Sequence, residues 1–180
     1  MTSGFDAMNL HSIPVLTACG LLVLCRSDAT DVVYTKNLTL YVIHDVEQGN
    51  LQGQHLDRPV GIYTTEAGAV LYLKGVELWL IRDTRKPQPE LLDRPVGNVK
   101  MDGGAIAYIK GNSLYVRRLS EDADTQSRMV ANSLGCSSFH VKDGKVVFIK
   151  AEKTAYLVSD IDSGTSEQLA SLASEAMISK

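Results

Sequence analysis

Four times along this chain an aromatic residue is followed, seven or eight positions later, by a second one: Tyr34 and Tyr41, Tyr72 and Trp79, Tyr108 and Tyr115, Phe148 and Tyr156. The first members of these pairs stand 38, 36 and 40 residues apart. A second register agrees with the first, because Leu56 to Gly61 reads LDRPVG and the same six residues return from Leu92 to Gly97. A period near 40 restricts the chain to architectures in which each repeat is one supersecondary unit that buries its apolar surface against its neighbours.

The third copy shows what the unit is. Asn98 to Met101 reads as a short strand, Asp102-Gly103-Gly104 as a turn, Ala105 to Lys110 as a second strand and Gly111-Asn112 as a second turn. Leu114 to Leu119 is a third strand, Glu121 to Thr125 a polar loop, and Gln126 to Ala131 a fourth strand. In the corresponding second strand upstream, Val70 and Tyr72 alternate with Leu71 and Leu73, so both faces are apolar. A sheet sandwiched between two others requires that, whereas a sheet with one wet face would alternate cleanly. The expected fold is all-β: a β-propeller of about four four-stranded blades, near 20–60, 61–96, 97–134 and 135–164. A β-sandwich with internal similarity is the alternative.

The two ends extend this expectation. Residues 1–11 are polar and irregular, and 13–18 reads as a strand, with Pro14 at a position a strand tolerates. Residues 165–180 carry Thr165 and Gln168 at capping-box spacing, then Leu169, Leu172, Ala173, Ala176 and Met177 at helical intervals, which predicts an amphipathic helix. The last blade would then lack its fourth strand, and the N-terminal strand at 13–18 would supply it and close the ring. A closed four-bladed ring is the first expectation; two chains forming a larger ring, or an arc of something bigger, are the others.

Val141 to Gly164 carries a family resemblance. Asp143-Gly144-Lys145, the aromatics Phe148 and Tyr156, and the acidic loop Asp160, Asp162 and Gly164 are similar to the TolB-like propeller repeat. The Ser-Pro that opens that repeat is replaced here by Val141-Lys142, and the other copies match only the aromatic pair and turn. The resemblance implies a propeller, and such repeats occur in periplasmic proteins, adaptors and accessory domains of peptidases, so it implies no single function.

Composition narrows the partners. With 44% hydrophobic and 22% charged residues in 180, the chain can bury one core. A net charge of −3 lacks the basic footprint of a nucleic-acid binder, and no run reaches the length of a membrane span. Three cysteines, Cys19, Cys25 and Cys136, do not form a disulfide framework, so a cytoplasmic location is expected. Leu16 to Cys19 has the form of a lipoprotein cleavage box, which would make the protein periplasmic or lipid-anchored. Against it, no Lys or Arg precedes Arg26 and Asp6 stands where positive charge is needed.

Signatures of catalysis are absent: there is no G-x-S-x-G, phosphate-binding glycine loop, C-x-x-C or H-E-x-x-H. The chain is therefore expected to be no enzyme and to need no cofactor. Cys136 with His140, and the acidic fragments Asp160/Asp162 and Asp122/Asp124, read as ordinary strand and loop residues rather than a nucleophile pair or calcium loops. One pattern is periodic: Lys36, Lys74, Lys110 and Lys150 each follow the first aromatic by two residues. Gathered on one face of a ring, four lysines require an anion, carboxylates or distance. Asp57-Arg58 and Asp93-Arg94 lie between blades, as contacts that set the junction or as partner-binding residues. The functional expectation is a protein-protein interaction module, an adaptor, inhibitor or immunity-type protein. Its candidate binding segments are the loops Val46 to Gln54 and Asp83 to Glu90. The alternatives are a small-ligand or anion receptor using the lysines, and an accessory propeller of a hydrolase or peptidase system.

Overall fold

The computed structural model describes residues 22–26, 29–132, 138–171 and 176–178. Sixteen strands form four antiparallel sheets of four, each in chain order. Blade 1 holds β1 (Leu22–Arg26), β2 (Ala29–Lys36), β3 (Thr39–Ile43) and β4 (Gln54–Asp57), and blade 2 holds β5 (Tyr63–Glu66), β6 (Ala69–Lys74), β7 (Glu77–Ile81) and β8 (Glu90–Asp93). Blade 3 holds β9 (Val99–Asp102), β10 (Ala105–Lys110), β11 (Ser113–Arg118) and β12 (Arg128–Ala131). Blade 4 holds β13 (Ser138–Lys142), β14 (Lys145–Ile149), β15 (Ala155–Asp160) and β16 (Thr165–Ala170). The first strands pack in succession, β1 on β5, β5 on β9 and β9 on β13, which places them nearest the common axis. The fold is the expected β-propeller.

The seven-residue spacing of the aromatics has a direct cause. Tyr34 faces Tyr41 across the β2–β3 hairpin, Tyr72 faces Trp79, Tyr108 faces Tyr115 and Phe148 faces Tyr156. Cross-strand pairs of this kind are the unit of sheet stabilisation, and three of the four stack with ring centroids 5.3 to 5.7 Å apart. The longer spacing in blade 4 follows from the wider connection between β14 and β15.

Each blade presents one apolar face to the preceding blade, its upstream face, and one to the next. Val33, Leu40 and Val42 of blade 1 meet Val70, Tyr72 and Ile81 of blade 2. Leu71, Leu78 and Leu80 meet Ile106 and Tyr108, and Ala107, Leu114 and Val116 meet Val146, Phe148 and Val158. These three clusters are the three junctions between successive blades. Among the described residues no fourth cluster joins blade 4 to blade 1.

The predicted helix over 165–180 requires correction. Thr165–Ala170 is a strand that pairs with β15, Ala155 facing Ala170 and Tyr156 facing Gln168. Blade 4 therefore supplies its own fourth strand. The edge of β15 offers unpaired N–H and C=O groups, and pairing them overrides the local apolar spacing. The strand predicted at 13–18 and the box at 16–19 lie outside the described residues. No described helix is long and apolar enough to cross a membrane.

Candidate partner-binding surface

The outer strands of all four blades share one irregularity. Leu40 faces Asp57 while Tyr41 faces His55, Leu78 faces Asp93 while Trp79 faces Leu91, and the same shift recurs at Leu114/Tyr115 and Ala155/Tyr156. One extra residue on the outer strand is a β-bulge, which re-aims the side chain that follows it. In blades 1 and 2 that side chain is an aspartate.

Both aspartates reach the upstream face of the next blade. Asp57 Oδ2 accepts the Tyr72 hydroxyl at 2.5 Å and Asp57 Oδ1 meets Lys74 Nζ at 3.1 Å. At the next junction Asp93 Oδ2 accepts Tyr108 at 2.7 Å and Oδ1 meets Lys110 at 2.7 Å. The N–H of Arg58 and of Arg94 donates back to its neighbouring aspartate, at 2.6 and 2.7 Å, ahead of the cis bonds to Pro59 and Pro95. Val60 N–H then donates to Leu38 O and Val96 N–H to Val76 O, both at 2.7 Å, burying the two valines. The LDRPVG sequence is thus a connector that locks one blade to the next. Arg94 also meets Glu77 at 3.3 Å, an exposed pair that contributes about 0 to 1 kcal/mol.

The electrostatics follow from this geometry. Partial burial pushes the Asp57 carboxyl up, but Tyr72, Lys74 and the Arg58 N–H together outweigh it and hold it below the usual carboxylate range. Asp93 behaves likewise, with burial opposed by Lys110, Tyr108 and the Arg94 N–H. Burial, reinforced by the adjacent carboxylate, raises the Tyr72 hydroxyl far above its ordinary value, and burial does the same for Tyr108.

The third junction omits the network as a unit. Ala131 occupies the bulge position held by Asp57 and Asp93, and Phe148 occupies the position of Tyr72 and Tyr108. Carboxylate and hydroxyl are absent together, which spares the core an unpaired polar group. Lys150, without a carboxylate, lies over the Tyr156 ring with Nζ 4.2 Å from its centroid.

Of the four periodic lysines, Lys74 and Lys110 meet carboxylates, Lys150 meets an aromatic face, and Lys36 is exposed with no ion pair or hydrogen bond among the described residues. Tyr34, on the same face as Lys36, is half-buried, where Tyr72, Tyr108 and Phe148 are fully buried. Its hydroxyl is seated against Gly53, where any larger residue would collide with it. Tyr41 and Ile43, which flank it, are also only partly covered. The upstream face of blade 1 is built like those of blades 2 and 3 and carries no preceding blade among the described residues. The repeated Asp–Tyr and Asp–Lys intervals of 15 and 17 residues were the sequence signal for this site, and reading the lysines alone missed it.

The opposite edge of the blades is tied by turns. Gly104 N–H donates to Glu66 Oε1 at 2.8 Å and Asp143 N–H to Asp102 Oδ2 at 2.8 Å, each joining one blade to the next. Here Arg85 meets Asp45 at 2.7 Å and Asp31 at 3.4 Å, joining the loop after β7 to blade 1. Arg118 takes Asp162 at 3.1 Å, so that acidic loop is engaged by a guanidinium. Among the described residues no three His, Cys, Asp or Glu side chains converge as a metal site. A cleft of about 310 Å³ lies beside the Asp93–Lys110 pair, lined also by Tyr115 and the loop Ala123 to Ser127. Cys136 lies outside the described residues.

No protein-family model matches the sequence, and no curated protein is significantly similar to it. Solved structures are. Kluyveromyces lactis Hsv2 is 16% identical with a TM-score of 0.61, over 81% of this chain and 48% of that one. The N-terminal domain of Nup159 is 14% identical with a TM-score of 0.61, over 90% and 46%. A structure of S. cerevisiae Dbp5 bound to Nup159 and Gle1 is 13% identical with a TM-score of 0.63, over 90% and 45%. These likenesses establish the β-propeller and do not single out the TolB-like repeat. The chain spans about half the length of each.

Proposed function

We propose that the chain is a non-enzymatic protein-binding module, a run of propeller blades that acts as an adaptor, inhibitor or immunity-type factor by holding another polypeptide. The observation that carries this reading is the upstream face of blade 1. Tyr34 and Ile43 are core-type residues left partly open, while their counterparts Tyr72 and Ile81 are fully buried. A contiguous apolar face of this kind marks an interaction site. Leu38 and Ile62 add exposed apolar side chains near the blade 1–blade 2 connector, at 63% and 58% exposure. The loop Val46 to Gln54 carries Leu51, 73% exposed, and Arg85 draws the loop Asp83 to Glu90 onto the same blade. Among the structural neighbours, Nup159 is found bound to other proteins, which supports a protein partner here.

The test is co-isolation of the chain with its partner from the native host. Ile43→Glu places a charge in the open face and is expected to release the bound polypeptide while the fold is kept. Full retention by both Ile43→Glu and Leu51→Glu contradicts the reading.

A second reading, small-ligand binding, draws on the cleft beside Lys110. It is the weaker one, because the Lys110 charge is already met by Asp93 at 2.7 Å.

A further inference from the structure

We infer that the upstream face of blade 1 receives the outer strand of another propeller blade, carried by a different polypeptide and bearing an aspartate where Asp57 and Asp93 stand. This rests on the protein-binding reading and names the chemistry of the partner.

The receiving side is complete. On β6 and β10 a tyrosine and a lysine two residues apart share one carboxylate from the blade before. β2 carries the same two groups, Tyr34 and Lys36, in the same register, with Tyr34 facing Tyr41 as Tyr72 faces Trp79. Gly53 leaves room for the Tyr34 hydroxyl, yet neither that hydroxyl nor the Lys36 ammonium has a polar partner among the described residues. A hydroxyl and an ammonium on one face are complementary to one carboxylate, and charge-assisted bonds are the strong ones. The third junction is the internal control. With Ala131 on the donating side, the receiving side has lost its hydroxyl and carries Phe148. Tyr34 therefore marks a junction of the aspartate type.

This chain does not supply that aspartate from its own last blade. At the bulge position of β16 stands Ala170, facing Ala155 as Asp93 faces Leu78. On the other edge, where Glu66 and Asp102 accept N–H groups from the next blade's turn, blade 4 carries Lys142. Blade 4 lacks both donating carboxylates, so among the described residues its strands offer Tyr34 and Lys36 no equivalent of Asp57, whether from this chain or from a head-to-tail second copy.

Zero-length cross-linking of the complex isolated from its host tests this. A water-soluble carbodiimide condenses a lysine with a touching carboxylate into an amide, the carbodiimide taking up the water as a urea. Lys74–Asp57 and Lys110–Asp93 are built-in standards. The expected product joins Lys36 to an aspartate at the end of a strand in a second, different polypeptide. Combining Lys36→Met with Tyr34→Phe should weaken the complex about tenfold or more, as loss of a charge-assisted hydrogen bond does. Lys36 left unjoined while the standards form, or joined to a carboxylate of this chain or of a second copy, overturns the inference. If a second polypeptide is held and Lys36 stays unjoined, the protein-binding reading survives and this inference alone falls. If no polypeptide is held, both fall.

Discussion

Asp93 and Tyr108 sit on neighbouring blades, 15 residues apart in sequence, with the tyrosine hydroxyl 2.7 Å from the carboxylate. Asp57 and Tyr72 repeat the arrangement one blade earlier at the same interval. The junction between blades is thus a transferable unit, and its parts should behave as coupled.

Coupling is measurable by a double-mutant cycle. Asp93→Ala alone leaves the buried Tyr108 hydroxyl and Lys110 without their acceptor and should cost about 1 to 3 kcal/mol. Tyr108→Phe should cost less. Made together they recreate the Ala131–Phe148 pairing, and urea unfolding should find the double variant about 1 kcal/mol more stable than the sum of the singles. Strict additivity would contradict a shared network.

Acid should weaken the same junctions. The folded-state pKa of Asp57 and of Asp93 lies below the unfolded value of about 3.9. The stabilisation is therefore complete above that pH and is lost as pH falls through the folded value. Asp93→Asn should be less stable than the native protein at pH 7, and the gap should narrow toward pH 2. A gap that is constant with pH would show that the carboxylate charge is not what matters.

Two glycines in the same blade separate backbone strain from crowding. Gly103 and Gly111 share a φ of 59°, but a Cβ on Gly103 would strike the backbone of Asp143 and Gly144 whereas Gly111 has open space around it. Gly111→Ala should cost about 1 to 2 kcal/mol from conformation alone. Gly103→Ala should cost about 3 kcal/mol or more, because it also drives blade 4 away from blade 3. Equal losses in thermal or urea unfolding would mean that the turn contact contributes nothing.

Much of the fold was legible because cross-strand pairing writes itself into the sequence as a fixed spacing. Tyr108 and Tyr115 are seven apart since a tight hairpin places them face to face. The strand at Thr165–Ala170 was not legible for the opposite reason. It is the outermost strand, exposed along nearly its whole length, so no burial alternation marks it and Leu169 joins a helical spacing by accident. The lysines were visible, but their partners lie on the preceding blade. Only reading Asp57 with Tyr72 and Lys74, and Asp93 with Tyr108 and Lys110, at matching intervals would have revealed that the positive charges are met by carboxylates.

The proposed function is that this run of blades holds another polypeptide. Native mass spectrometry of the protein, isolated gently from its own host, tests it most directly. The expected mass is that of this chain plus a second, different polypeptide, released by Ile43→Glu. A mass of this chain alone, or of identical copies only, would contradict it.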